Sequence, residues 1–118
     1  MGDATQTFLT PEQQAAAMTP LPPFPGSAMT PLGPPPAPGG SVHLLRMAAG
    51  TRIGRHTHPS AEYVRLLVGE LETGGRRVGA GTSWHTPAGC AQGPHVAVSD
   101  VQLLTVRLGP MGAFAEGG

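Results

Sequence analysis

Lysine is absent from this sequence, and all seven of its basic residues are arginines. Without a lysine amine there is no Schiff-base chemistry and no internal attachment of pyridoxal phosphate. Cysteine is nearly absent: Cys90 stands alone, so no internal disulfide can form and nothing points to an oxidising compartment. Charge is scarce, at 12% of residues, and it balances to zero. That leaves no electrostatic footprint for nucleic acid or an anionic membrane. No apolar run approaches the roughly 20 residues that cross a bilayer. The opening stretch "MGDATQTFLTPEQQ" has neither the basic n-region nor the apolar h-region of a signal peptide. A cytoplasmic location is the resulting expectation.

What the sequence has in quantity is glycine and proline, 18 and 14 in 118 residues. A chain of this length makes one domain with a thin core, helped by dimerisation or by a ligand. The prolines crowd residues 19–40, "TPLPPFPGSAMTPLGPPPAPGG". Their density argues against helix or sheet, because each proline removes a donor and restricts its predecessor. We therefore expect residues 1–40 to be an extended arm, lying over the rest of the domain or over a partner subunit. Within it "TPEQQAAAM" carries a helix start: Thr10 as N-cap, Pro11 at the first helical position and Glu12 in the first turn. One short helix is the most it supports.

From Ser41 the pattern is all-β. "SVHLLRMA", "YVRLLV", "TSWHTP" and "VQLLTVRL" are short apolar or alternating runs separated by glycine-rich turns. Short strands so spaced predict a small sandwich or barrel over residues 41–110, followed by a flexible tail over 111–118.

Four of the five histidines, His56, His58, His85 and His95, fall within forty residues and bracket Glu62. In a strand His56 and His58 share a face, roughly 6–7 Å apart along the backbone. Their rings can then converge on one ion at about 2.0–2.1 Å. Pro59 breaks the strand, and a turn at Ser60–Ala61 can return Glu62 beside the two rings. Two neutral nitrogens and a carboxylate form the facial triad typical of non-haem Fe(II) oxygenases. The competing reading of His-x-His alone is a solvated turn.

The surrounding frame resembles the cupin superfamily. Its first motif, G-x5-H-x-H-x3-E-x6-G, is matched at every fixed position by Gly50, His56, His58, Glu62 and Gly69. Its second, G-x5-P-x-G-x2-H-x3-N, is matched by Gly81, Pro87 and Gly89. The resemblance spans about residues 43–108. It implies a double-stranded β-helix, or jelly-roll barrel, with a divalent transition metal held inside. Fe(II) leads among the metals, and the same ligands accept Mn, Ni, Co, Cu or Zn. Each motif glycine is expected at a sharp turn or a positive φ.

The second motif breaks at the position where the family carries its fourth histidine, which here is Gln92; the terminal Asn position is Val96. Three readings follow, in order of preference. Gln92 is a weak fourth ligand or holds a metal-bound water; His95 replaces it; or the site holds no metal. His85 is a candidate acid/base group or substrate contact if Ser83 and His85 line the barrel, and an exterior residue if they do not. His95, if not a ligand, is the other catalytic candidate. His43 is expected at the surface or on an edge strand. Tyr63 and Arg65 are expected to face away from the metal, and Cys90 to be a small buried residue rather than a nucleophile.

The expected function is a mononuclear metal-dependent cupin enzyme, foremost a non-haem Fe(II) dioxygenase acting on a small oxygenated organic substrate. The alternatives are a non-catalytic metal- or small-molecule-binding sensor cupin, or a metal-dependent lyase or isomerase. A homodimer is expected, with the arm as its exchange element.

Overall fold

The computed structural model describes residues 5–114. The outermost residues of the expected arm and tail, 1–4 and 115–118, lie outside the described range. The chain runs α1 (Pro11–Ala16), β1 (Thr19–Pro20), β2 (Ser27–Pro31), β3 (Ser41–Met47), β4 (Arg52–Ile53), β5 (His56–Thr57), β6 (Glu62–Val68), β7 (Glu70–Thr73), β8 (Arg76–Gly79), β9 (Ser83–Thr86), β10 (Ala91–Gln92), β11 (His95–Ala97), β12 (Val101–Arg107) and β13 (Ala113–Phe114).

The short helix forms as its start signal predicts. Thr10 Oγ1 accepts from the backbone N–H of Gln13, and the Gln13 side chain accepts from the backbone N–H of Thr10, closing a capping box. The arm beyond it departs from expectation. Residues 19–40 are not too proline-rich for sheet: Ser27–Pro31 pairs with β3 along its whole length, and β1 pairs with β2. The prolines sit at strand ends, Pro20 closing β1 and Pro31 closing β2, where a missing N–H costs least.

Three sheets follow. The largest has the order β1-β2-β3-β12-β6-β9, the second β4-β11-β7-β8, and the smallest β10-β5-β13. Every pairing is antiparallel. This is an all-β double-stranded β-helix. The short β13, within the expected tail, pairs with β5 at Thr57 and His56.

Period-two alternation decides what faces inward. Along β6, Glu62, Val64 and Leu66 are buried while Tyr63, Arg65 and Leu67 are exposed. Along β12, Val101, Leu103 and Thr105 are buried. These rows meet Met47, Ile53, Leu71, Ala97 and Phe24 in one core. Full burial of a side chain such as Leu66 or Leu71 contributes about 1.5–3 kcal/mol, so a core this small depends on each of them.

The four motif glycines, Gly50, Gly69, Gly81 and Gly89, all adopt positive φ, as expected. Gly69 is the tightest of these. A Cβ there would stand 2.1 Å from the carbonyl oxygen of Asp100, so the β6–β7 turn admits no side chain.

Candidate metal centre

The site lies where the sheets converge. His56 comes from β5, His58 from the turn that follows it, Glu62 from the start of β6 and His95 from the start of β11. All four are buried. The His56 ring lies 4.7 Å from that of His58 and 5.5 Å from that of His95, centroid to centroid. These four side chains share the wall of a single cavity of about 370 Å³.

The rings are held from behind. The Nδ1–H of His56 donates to Gly54 O at 2.8 Å, and that of His58 donates to Met111 O. His95 Nδ1 is hydrogen-bonded to Thr73 Oγ1 at 2.9 Å. A histidine whose Nδ1 is so engaged presents Nε2 as its ligating atom.

Electrostatics divide the set. Burial pushes His95 down to about 4, helped by His56. His56 is also lowered, chiefly by burial. His58 moves the other way: burial opposes its charge, but contacts with Glu62 and Met111 outweigh it and raise its pKa. Glu62 answers in kind, since hydrogen bonds from His58 and Gln92 overcome the burial penalty and keep its carboxyl below the usual range. His58 Nε2 lies 3.2 Å from Glu62 Oε2.

Among the described residues, no group of three or more His, Cys, Asp and Glu side chains is arranged to hold an ion as it stands; Glu62 is closed onto His58 instead. The donor chemistry nonetheless fits a divalent transition metal, with imidazoles anchored through Nδ1 and one carboxylate facing a common space. Binding would replace the proton shared between His58 and Glu62, which couples metal affinity to pH.

Gln92 and His95 approach the site from different walls. Gln92 is buried opposite His56, and its Nε2 donates to Glu62 Oε1 at 2.9 Å. It does not line the cavity, and its Oε1 is buried without a hydrogen-bond partner. Gln92 thus contacts the carboxylate of Glu62, while His95 lines the cavity beside His56.

His85 does not join the site. Trp84 and Thr86 point inward, which turns Ser83 and His85 outward; His85 is exposed and stacks on Tyr63 at 4.6 Å. Strand parity had two phases open to it, and the bulky Trp84 takes the interior. His43 also departs from expectation. It is buried on a central strand, lines the cavity, is bonded to Ser41 through Nδ1 and is lowered to about 4 by burial. Cys90 is exposed rather than buried. Arg107 and Thr105, both on the cavity wall, went unremarked in the sequence. The alternation of "VQLLTVRL" could have found them, because Val101, Leu103, Thr105 and Arg107 share one face.

A family model described as the ChrR cupin-like domain matches residues 7–112. The chain belongs to this cupin family. The match takes in nearly all of the N-terminal arm as well as the barrel. Solved structures similar to this cupin share its fold at low identity. An acetylacetone dioxygenase from Acinetobacter johnsonii is 16% identical, with a TM-score of 0.76 over 92% of this chain and 77% of that one. A Methylibium petroleiphilum protein, provisionally given the same name, is 17% identical, with a TM-score of 0.80 over 100% of this chain and 88% of its own. An RmlC-like cupin from Shewanella frigidimarina is 18% identical, with a TM-score of 0.74 over 87% and 90% of the two chains. Among curated proteins none matches the sequence.

Proposed function

We propose that this cupin is a non-haem Fe(II) dioxygenase acting on a small oxygenated organic molecule, with His56, His58, Glu62 and His95 as its ligand set. The observation that carries the reading is the convergence of these four buried side chains on one cavity whose remaining wall is largely apolar. The likeness in fold to a protein named acetylacetone dioxygenase supports the reaction class by analogy.

A bound Fe(II) would supply Lewis acidity toward the substrate oxygens and electrons toward dioxygen. The protein's part is positioning. Gly54 O and Met111 O fix the rings of His56 and His58, and Gln92 holds the Glu62 carboxylate in place. Leu45, Ile53, Val64, Trp84 and Leu103 shape the cavity and keep water from it. The test is oxygen uptake by Fe(II)-loaded protein offered β-diketones, phenolic compounds and small apolar carboxylates. Uptake dependent on His56 and His95 supports the reading; no uptake with any substrate opposes it.

One observation favours a second reading, a non-catalytic metal- or ligand-binding module. Gln92 stands where the second motif carries its histidine, and an amide oxygen binds transition metals more weakly than imidazole. Turnover separates the two, since a binder saturates without consuming its ligand. The same proposal includes a homodimer through the outer sheet face, where Tyr63 and Val68 are about half exposed. A monomer mass by light scattering would rule that out.

A further inference from the structure

Arg107 takes no part in the ligand set, yet it closes β12 on the cavity side. It follows Leu103 and Thr105 on the inward face, with its Cα opposite Glu62 on β6 and Ser41 on β3. Directly across from a carboxylate, it does not pair with it. Its Nε–H donates to Gly109 O at 2.9 Å, and Nη1 reaches Met111 Sδ at 3.3 Å. Among the described residues no carboxylate forms an ion pair with this guanidinium. Its charge nevertheless reaches the cavity wall, where it disfavours protonation of His43.

Glu62, the carboxylate on the same wall, is engaged by His58 and Gln92 rather than by Arg107, and a half-buried cation without a direct ion pair gains from an incoming anion. The two contacts use only part of the five N–H donors of the guanidinium. A planar fork of this kind recognises paired oxygens. Leu45, Ile53, Val64 and Leu103 supply a hydrocarbon stretch of the same wall.

We infer that Arg107 is the anion anchor of this cavity, and that the substrate is a small apolar carboxylate whose charged end pairs with the guanidinium. The hydrocarbon part lies among Leu45, Ile53, Val64 and Leu103. This rests on reading the cavity as the substrate site, and it adds a charge requirement which the ligand set does not impose.

Trp84, the single tryptophan, lines the same cavity and reports occupancy without turnover. The experiment titrates 4-methylpentanoate and its primary amide against Trp84 fluorescence. It uses the protein as purified and after chelation, in wild type, Arg107→Lys and Arg107→Gln. We expect the acid to bind the wild type about tenfold or more tighter than the amide, with or without metal. Arg107→Lys should keep part of the preference and Arg107→Gln none. Salt should weaken the acid and leave the amide unaffected. Equal binding of acid and amide to wild type, or no binding of either, overturns the inference. If the preference survives in Arg107→Gln and vanishes on chelation, the charge is read by the metal; the anchor is then wrong while the metal reading stands. A preference that disappears with Arg107 in chelated protein upholds the anchor even where oxygen uptake fails. If Arg107→Gln does not fold, the graded loss in Arg107→Lys carries the decision.

Discussion

Replacing Gln92 by leucine separates a residue that holds the metal from one that holds a ligand. In the structure its Nε2 gives Glu62 Oε1 a 2.9 Å hydrogen bond inside a buried site. Hydrogen bonds to charged groups are worth about 1.5–3 kcal/mol, and each 1.4 kcal/mol is about tenfold in affinity. Gln92→Leu should therefore weaken metal binding by about ten- to a hundredfold, in line with other outer partners of metal ligands. Fold stability should change little beyond that lost bond, because leucine also removes the unpartnered Gln92 Oε1. His95→Ala is the companion variant. It deletes an imidazole beside His56 and should cost more than Gln92→Leu, approaching the loss in His56→Ala. The assay is competition with a chelator of known affinity, using Zn²⁺ as probe, together with elemental analysis of the purified proteins. Circular dichroism confirms that each variant is folded. If Gln92→Leu empties the site as thoroughly as His56→Ala while His95→Ala keeps its metal, then Gln92 is the ligand and the assignment argued above is wrong.

Three further outcomes are expected of single substitutions. Gly69→Ala combines positive φ with a Cβ 2.1 Å from Asp100 O; chemical denaturation should show a loss of about 2 kcal/mol or more. Gly50→Ala, with similar φ but open space around the added carbon, should lose less, and equal losses would mean that the clash is relieved. His43 is neutral in the fold down to about 4, whereas in the unfolded chain it protonates near 6.5. The unfolded state thus binds more protons between those values. Stability should fall as pH drops from about 6.5 to about 4, by at most about 3 kcal/mol from this residue. His43→Leu should remove that share of the slope, and an unchanged slope in chelated protein refutes the assignment. His85→Ala, on the outer face, should leave metal content and any turnover as they are in wild type, and a loss of either would return His85 to the site.

The barrel was legible because its signals are local. Alternation in "YVRLLV" and "VQLLTVRL" fixed which side chains turn inward, and the spacing of Gly50, His56, His58, Glu62 and Gly69 marked one motif. The arm was misread because proline was counted by density rather than position; Ser27–Thr30 contains none, and that run makes the strand. His85 and Trp84 compete for one face, and alternation cannot say which phase wins until the opposite wall is known. His43 looked peripheral because β3 is flanked by β2, which had not been anticipated as a strand.

The different placements of Gln92 and His95 have the same origin in pairing. Gln92 lies opposite His56 in the smallest sheet, and His95 lies opposite Ile53 and Thr73 in the second. Gly93 and Pro94 carry the chain from one sheet to the other between them. Two residues three positions apart thus approach Glu62 and His56 from different walls, so parity along a single strand could not rank them. With a histidine supplied by the second wall, the motif position is free to carry an amide. That amide then does what an imidazole ligand there could not: it donates to the carboxylate and holds it at the cavity. Under the proposed ligand set the family's fourth histidine is relocated to His95, and the two positions should be energetically coupled. Gln92→His in a His95→Ala background should recover metal binding that Gln92→His alone does not improve.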